Sequence, residues 1–175
     1  PYTDPKSESA EHTFAEDTLD RELLHAWLMR HAERVSAKVR SMGVKGRTIT
    51  LKIKFYDFQS ITRSRTLKES TDSTRVLYMT GISLLDSVSP TKKVRLIGLG
   101  LSCFTASTDQ LSLFGTETDT HAKRDKALDA AIDHIRKRFG TTALMRGKIF
   151  ASQTGNIKNS CPNARKKPAS GHSGA

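Results

Sequence analysis

Apolar positions along this chain switch between a two-residue and a helical period, and the switches mark out its elements. Residues 5–16 alternate weakly and predict a short strand at about 8–15, followed by Asp17 and Thr18 as helix caps. Leu24, Trp27, Leu28, His31, Val35, Val39 and Met42 then recur at helical spacing, and Gly43 stands where a C-terminal glycine belongs. Asp20 and Glu22 fall in the first turn and Lys38 and Arg40 in the last, the polarity that a helix dipole favours. Residues 47–55 alternate cleanly, with Ile49, Leu51, Ile53 and Phe55 on one face and Thr48, Thr50, Lys52 and Lys54 on the other, as in a half-buried strand. Asp57 signals a turn, and residues 59–68 form a third, β-branched strand. Asp72 or Ser73 caps a second helix with a stripe of Leu77, Leu84, Leu85 and Val88, stopped by Pro90. Gly81 in its middle costs that helix about 1 kcal/mol against alanine. Residues 93–101 read as a fourth strand, apolar on both sides, with Gly98 and Gly100 indicating a bulge.

The order β-α-β-β-α-β predicts an α+β, ferredoxin-like domain: a four-stranded sheet with both helices on one face. Its other face is left open, and Lys52 and Lys54 point to it. The expected domain covers residues 1–103. Residues 104–122 read as a polar linker with one apolar island, 123–140 as a helix, and 141–175 as a basic, disordered tail. The stripe of the last helix is Leu128, Ala131, Ile132, Ile135 and Phe139.

Composition narrows the class. At 36% hydrophobic and 27% charged over 175 residues, the chain is leaner than a fully packed domain. It has no run of about 18 apolar residues, so no membrane span is expected. The acidic, polar N-terminus is not a signal peptide, and the start at Pro1 reads as a cut. Cys103 and Cys161 form no CxxC pair, and the six histidines are scattered. A reduced, cytoplasmic, monomeric protein without structural metal is the expectation.

The net charge of +11 is unevenly spread. Residues 1–33 are acidic, whereas residues 34–68 carry ten Lys/Arg and one acid, Asp57. A basic block inside a folded region suits a polyanion or is a plain solvated surface. Alternation puts Thr62, Ser64 and Thr66 on one face of the third strand, where hydroxyls and backbone N–H groups suit phosphates. Arg63 and Arg65 share parity with Ile61 and Leu67, the core face. Buried unpaired arginines are costly, so they must lie near an edge or snorkel to solvent. The island Gln110-Leu111-Ser112-Leu113-Phe114 reads as a docking peptide or as a turn tucked onto the domain. No catalytic constellation can be assembled: there is no GxSxG, P-loop or strand-borne acid pair.

Several of these segments resemble the C-terminal part of DinB-type Y-family DNA polymerases, the polymerase IV family. They are Lys6-Ser7-x-Ser9-x-Glu11-His12-Thr13-Phe14-x-Glu16-Asp17, Lys45-Gly46-Arg47-Thr48, Thr62-Arg63-Ser64-Arg65-Thr66-Leu67 and Val94-Arg95-Leu96-Ile97-Gly98, in that order over about residues 5–101. The resemblance implies a little-finger domain whose sheet lies in the major groove of primer–template DNA and holds both strands by their phosphates. By position it implies Ser7, Ser9, Thr62, Arg63, Ser64, Arg65, Thr66 and Arg95 as contacts. Some relatives carry further arginines on the last strand, where this chain has Leu96 and Gly100. The island resembles the bacterial sliding-clamp motif. That implies Gln110 in one subsite, Leu113 with Phe114 in an apolar pocket, and Leu111 and Ser112 between them. The partner implied is the clamp, the beta subunit of DNA polymerase III. The family's palm, with its carboxylates and magnesium, lies upstream, so no cofactor and no catalysis are expected of this stretch.

Two other readings share these features. A catalytically inactive polymerase relative serving as a mutasome adaptor would carry the same domain and peptide. An RNA-recognition module shares the element order, but it stacks bases on aromatics of the open face, and strand three, ITRSRTL, has none.

Overall fold

The four alternating segments pair into one antiparallel sheet, and the two helical stripes close over one side of it. The computed structural model describes residues 5–106, 118–140 and 143–144. Its elements are β1 (Ser7–Thr18), α1 (Arg21–Ser41), β2 (Val44–Phe55), β3 (Ser60–Thr71), α2 (Thr74–Val88), β4 (Val94–Ala106) and α3 (Thr118–Phe139). The strand order is β1-β4-β2-β3. All three pairings are antiparallel. Each β-α-β passage therefore spans one intervening strand: α1 carries the chain from β1 over β4 to β2, and α2 from β3 over β2 to β4. This is the α+β arrangement expected of the element order.

The core is the face of the sheet that the helices cover. Ile49, Leu51, Ile53 and Phe55 of β2 and Ile97, Leu99 and Leu101 of β4 are buried there against Leu24, Leu28, Val35 and Val39 of α1 and Leu77, Leu84 and Leu85 of α2. Each large apolar side chain so buried contributes about 1.5–3 kcal/mol. Gly81 has a packing reason: a Cβ there would lie 3.1 Å from Leu99 Cδ1, so the glycine lets α2 approach the sheet.

The helix ends differ in part from the sequence expectation. Asp20, not Asp17 or Thr18, caps α1: its Oδ1 accepts from Glu22 N at 2.9 Å and Leu23 N at 3.3 Å. Thr18 instead holds Asp20, accepting from its backbone N–H at 3.0 Å. Gly43 follows the C-cap Met42 at φ 67°, as expected. Asp57 fixes the β2–β3 turn, accepting from Gln59 N at 3.2 Å and pairing with Lys92 at 2.6 Å. No bulge occurs at Gly98 or Gly100, where the β4 register runs unbroken against both neighbours. The shift falls instead between Leu96 and Val94, at Arg95. The fourth strand also continues past 101 to Ala106.

The last helix begins at Thr118, earlier than the expected 123, and docks by charge more than by its apolar stripe. Leu128 and Phe139 are 48% and 66% exposed, and Ile132 is the buried apolar residue. Arg40 of α1 reaches between two carboxylates of α3. Its Nε and Nη2 donate to Asp133 at 2.6 and 3.0 Å, and its Nη1 donates to Asp129 at 3.3 Å. Desolvation lowers the Arg40 pKa, but the Asp133 hydrogen bond and the charges of Asp129, Asp133 and Asp72 outweigh it, so the net shift is upward. Arg136 pairs with the buried Glu33 at 2.8 Å. Asp129 does a second job. Ser73, the N-cap of α2, makes no side-chain cap bond. The Asp129 carboxylate accepts from the Thr74 backbone N–H at 3.0 Å and so caps α2 from a different helix.

Two outcomes follow. Asp129→Ala removes a buried charge partner and a helix cap together. We expect a loss of about 2–4 kcal/mol in urea unfolding, with faster amide exchange at Thr74. His31 is buried at 4% exposure, and desolvation, aided by the charges of His12, Arg34 and Arg30 and partly offset by a hydrogen bond to the Ile97 backbone, lowers its pKa to about 4. Between about pH 4 and 6.5 the unfolded chain therefore binds the proton that the native state refuses. Stability should be fully present above pH 6.5 and fall by roughly 3 kcal/mol as the pH drops to 4. The His31→Phe variant should show a shallower decline over that window.

Candidate nucleic-acid interface

Because residues directly opposite each other in antiparallel strands share a face, the register lays out the open side of the sheet in rows. Ser7, Ser102, Thr48 and Thr66 form one row; Ser9, Gly100, Thr50 and Ser64 the next. Glu11, Gly98, Lys52 and Thr62 follow, and then Thr13, Leu96, Lys54 and Ser60. Hydroxyls dominate, and none of these residues is aromatic. The outer hydroxyl strands β1 and β3 are three strand spacings apart, roughly 14 Å.

Gly98 and Gly100 leave the middle of this face without side chains. A trough of about 360 Å³ runs along them, bordered by Ser9, Thr50, Thr62 and Ser102. A Cβ at Gly98 would come within 2.7 Å of Glu11 Cγ, and one at Gly100 within 3.2 Å of Ser9 Cβ. The missing side chain at Gly98 lets Glu11 reach across β4 to Lys52, whose Nζ donates to both carboxylate oxygens at 3.0 and 3.1 Å. The centre of the face is thus nearly neutral.

Cations gather at its margins. At the β2–β3 turn, Phe58 sits at φ 63° and 61% exposed, with Lys54 Nζ 5.2 Å and the Arg95 guanidinium 4.7 Å from its ring centre. Arg95 is the bulged residue of β4. The bulge frees it from the inward parity of Ile97 and Leu99 and sets it beside the ring that Lys54 also meets; Asp17 lies 3.9 Å away. Along the other margin runs β3, an edge strand. Arg63 and Arg65 stand opposite Leu51 and Ile49, on the helix-side parity, yet both are exposed because the helices do not reach over them. Neither makes an ion pair among the described residues; Arg63 Nη1 donates to the Thr62 carbonyl at 3.2 Å.

The structure therefore separates the residues that the sequence grouped. Thr62, Ser64 and Thr66 share the open face with Ser7 and Ser9, at opposite borders of the sheet. Arg63 and Arg65 flank the same β3 edge from the other side. Arg95 belongs to the turn end, with Lys54 and Phe58. Sequence reading missed Phe58 and the glycine trough; the signal available was Gly-x-Gly at 98 and 100, between the apolar odd positions 97, 99 and 101. Gln110, Leu111, Ser112, Leu113 and Phe114 lie outside the described residues. No group of three His, Cys, Asp or Glu side chains is placed to hold a metal ion among the described residues. No helix among them is long and apolar enough to cross a membrane.

Residues 5–113 match the model of the impB/mucB/samB family C-terminal domain. The chain belongs to that family. Among its curated relatives is a DNA polymerase IV of Dehalococcoides mccartyi (strain CBDB1), 33% identical over 150 residues, which cover 85% of this chain and 37% of the relative. A DNA polymerase IV of Streptomyces coelicolor is 43% identical over 97 residues, covering 55% of this chain and 20% of the relative. The chain thus spans about a third or less of the length of these relatives. A solved insertion ternary complex of Dbh DNA polymerase shares the fold, with a TM-score of 0.53 at 19% identity over 61% of this chain and 32% of that one.

Proposed function

We propose that this chain is the DNA-holding C-terminal part of a translesion DNA polymerase of the polymerase IV type. Its sheet rests in the major groove of primer–template duplex and grips both strands by their phosphates. The carrying observation is the arrangement of the open face: two hydroxyl-lined borders about 14 Å apart with a trough between them. That span is comparable with a major groove about 12 Å wide. The β3 border is the stronger grip. An edge strand presents unpaired backbone N–H groups, here lined by Thr62, Ser64 and Thr66 on one flank and by Arg63 and Arg65 on the other. Ser7 and Ser9 face the second strand, and Arg95 with Lys54 contributes positive charge at the turn end. Contacts of this kind position a duplex without reading its sequence. The absence of aromatics from the four rows disfavours recognition by base stacking.

Nucleotidyl transfer and its magnesium belong, on this reading, to the larger part of the relatives' length that this chain does not span. The peptide Gln110–Phe114 is read as the tether to the sliding clamp, with Leu113 and Phe114 as its apolar anchors; its sequence and its position after the domain support this.

Replacing Arg63 and Arg65 by alanine should weaken duplex binding to a similar extent for all sequences and reduce the slope of log K against log salt by up to about two. Fluorescence anisotropy with several unrelated duplexes tests this, and a change in sequence preference would show the recognition mode to be wrong. The double change Leu113→Ala and Phe114→Ala should abolish binding to the purified clamp in a pull-down and leave duplex affinity intact. Unchanged clamp binding would sink the tether.

A further inference from the structure

A second basic surface lies behind the sheet, in a cleft of about 1090 Å³ walled by α1 and α3. Its carboxylates are already engaged: Asp133 by Arg40 at 2.6 Å, Glu33 by Arg136 at 2.8 Å and Glu11 by Lys52 at 3.0 Å. Four further cations line it, Arg30, Arg34 and Lys38 from α1 and Lys137 from α3. None of the four forms an ion pair among the described residues. Nor is the lining otherwise satisfied. Nε of Arg136 is a buried donor without an acceptor among the described residues.

The shape of this charge selects the ligand. Arg30, Arg34 and Lys38 recur every fourth residue, so they climb one side of α1 in steps of about 6 Å. A ladder of cations suits a run of phosphates better than one isolated phosphate. Trp27, at the floor, offers no free ring face: His12 stacks on it with centroids 3.4 Å apart at 9°, and Arg30 lies 4.9 Å from its centroid. Recognition here is therefore of backbone and not of bases. Glu11 lines both this cleft and the glycine trough, so the two surfaces meet at the β1 edge. A duplex, stiff over about 150 base pairs, cannot fold round that edge, whereas a single strand can.

We propose that the α1–α3 cleft binds the phosphates of single-stranded DNA leaving the duplex on the open face. The continuity part of this inference rests on the duplex reading above. The test uses the full chain and a fluorescent oligothymidylate, with the triple variant Arg34→Glu, Lys38→Glu and Lys137→Glu. These side chains hold no ion pair among the described residues, but Lys38 and Lys137 lie in the last turns of their helices, so the variant should stay folded with a melting temperature lowered by several degrees. Oligothymidylate affinity should fall at least tenfold and its salt slope by about two, with blunt duplex affinity unchanged. Unchanged oligothymidylate affinity overturns the proposal. So does equal loss of both ligands, or displacement of the oligonucleotide by polyglutamate at matched charge, which would assign the cleft to an acidic protein. Arg63→Ala with Arg65→Ala serves as the reciprocal arm: if it leaves duplex binding untouched while the triple variant still loses oligothymidylate, the duplex reading fails and the cleft stands.

Discussion

The helices cover one face of the sheet, and the two-residue period of a strand turns that cover into a constraint on every other position. Once Ile49, Leu51 and Ile53 are buried under α1 and α2, Thr48, Thr50 and Lys52 have no choice but the opposite side. The same holds on β4, where Ile97, Leu99 and Leu101 go inward and Gly98, Gly100 and Ser102 outward. A register slip of one residue would send hydroxyls and lysines into the core. The open face is in this sense the complement of the core, and its precision comes from packing on the far side of the backbone.

The third helix follows another logic. It contributes little apolar surface and is held by Arg40 between Asp129 and Asp133 and by Arg136 on Glu33. Such partly buried pairs are favourable only when each lone pair and proton finds a partner. Arg40 meets this demand with an additional donation to the Asp72 carbonyl at 2.8 Å. Because Asp72 precedes α2 and Asp129 caps it, one arginine couples the end of α1, the start of α2 and the middle of α3.

Much of this was legible from residue order. Alternation in 47–55 identified β2 and both its faces, because each odd position from 49 to 55 is apolar and each even one polar. The parity of Arg63 and Arg65 with the core face was also legible, as was the need for an edge to accommodate them. That β3 is this edge depended on strand order, which no local pattern encodes. The bulge was expected at the glycines and lies at Arg95, because two neighbouring strands share the central one and their joint register places the extra residue. The stripe of α3 did not say what the helix packs against. Leu128, Ala131, Ile132, Ile135 and Phe139 mark an amphipathic helix, but only Ile132 of them is buried, and the adjoining acids Asp125, Asp129 and Asp133 make the contacts with Arg75 and Arg40.

The cap that Asp129 gives to α2 also bears on where this domain ends. The family match stops at residue 113, yet the first backbone N–H of a helix central to the core is satisfied from residue 129. The segment that the family model matches is therefore shorter than the set of residues that completes the fold, and the alignment to the Dehalococcoides relative, 150 residues long, runs past it. A gene fragment trimmed to residues 5–113 would still encode every strand of the sheet, but it would leave α2 with an open end and Arg40 without Asp129 and Asp133.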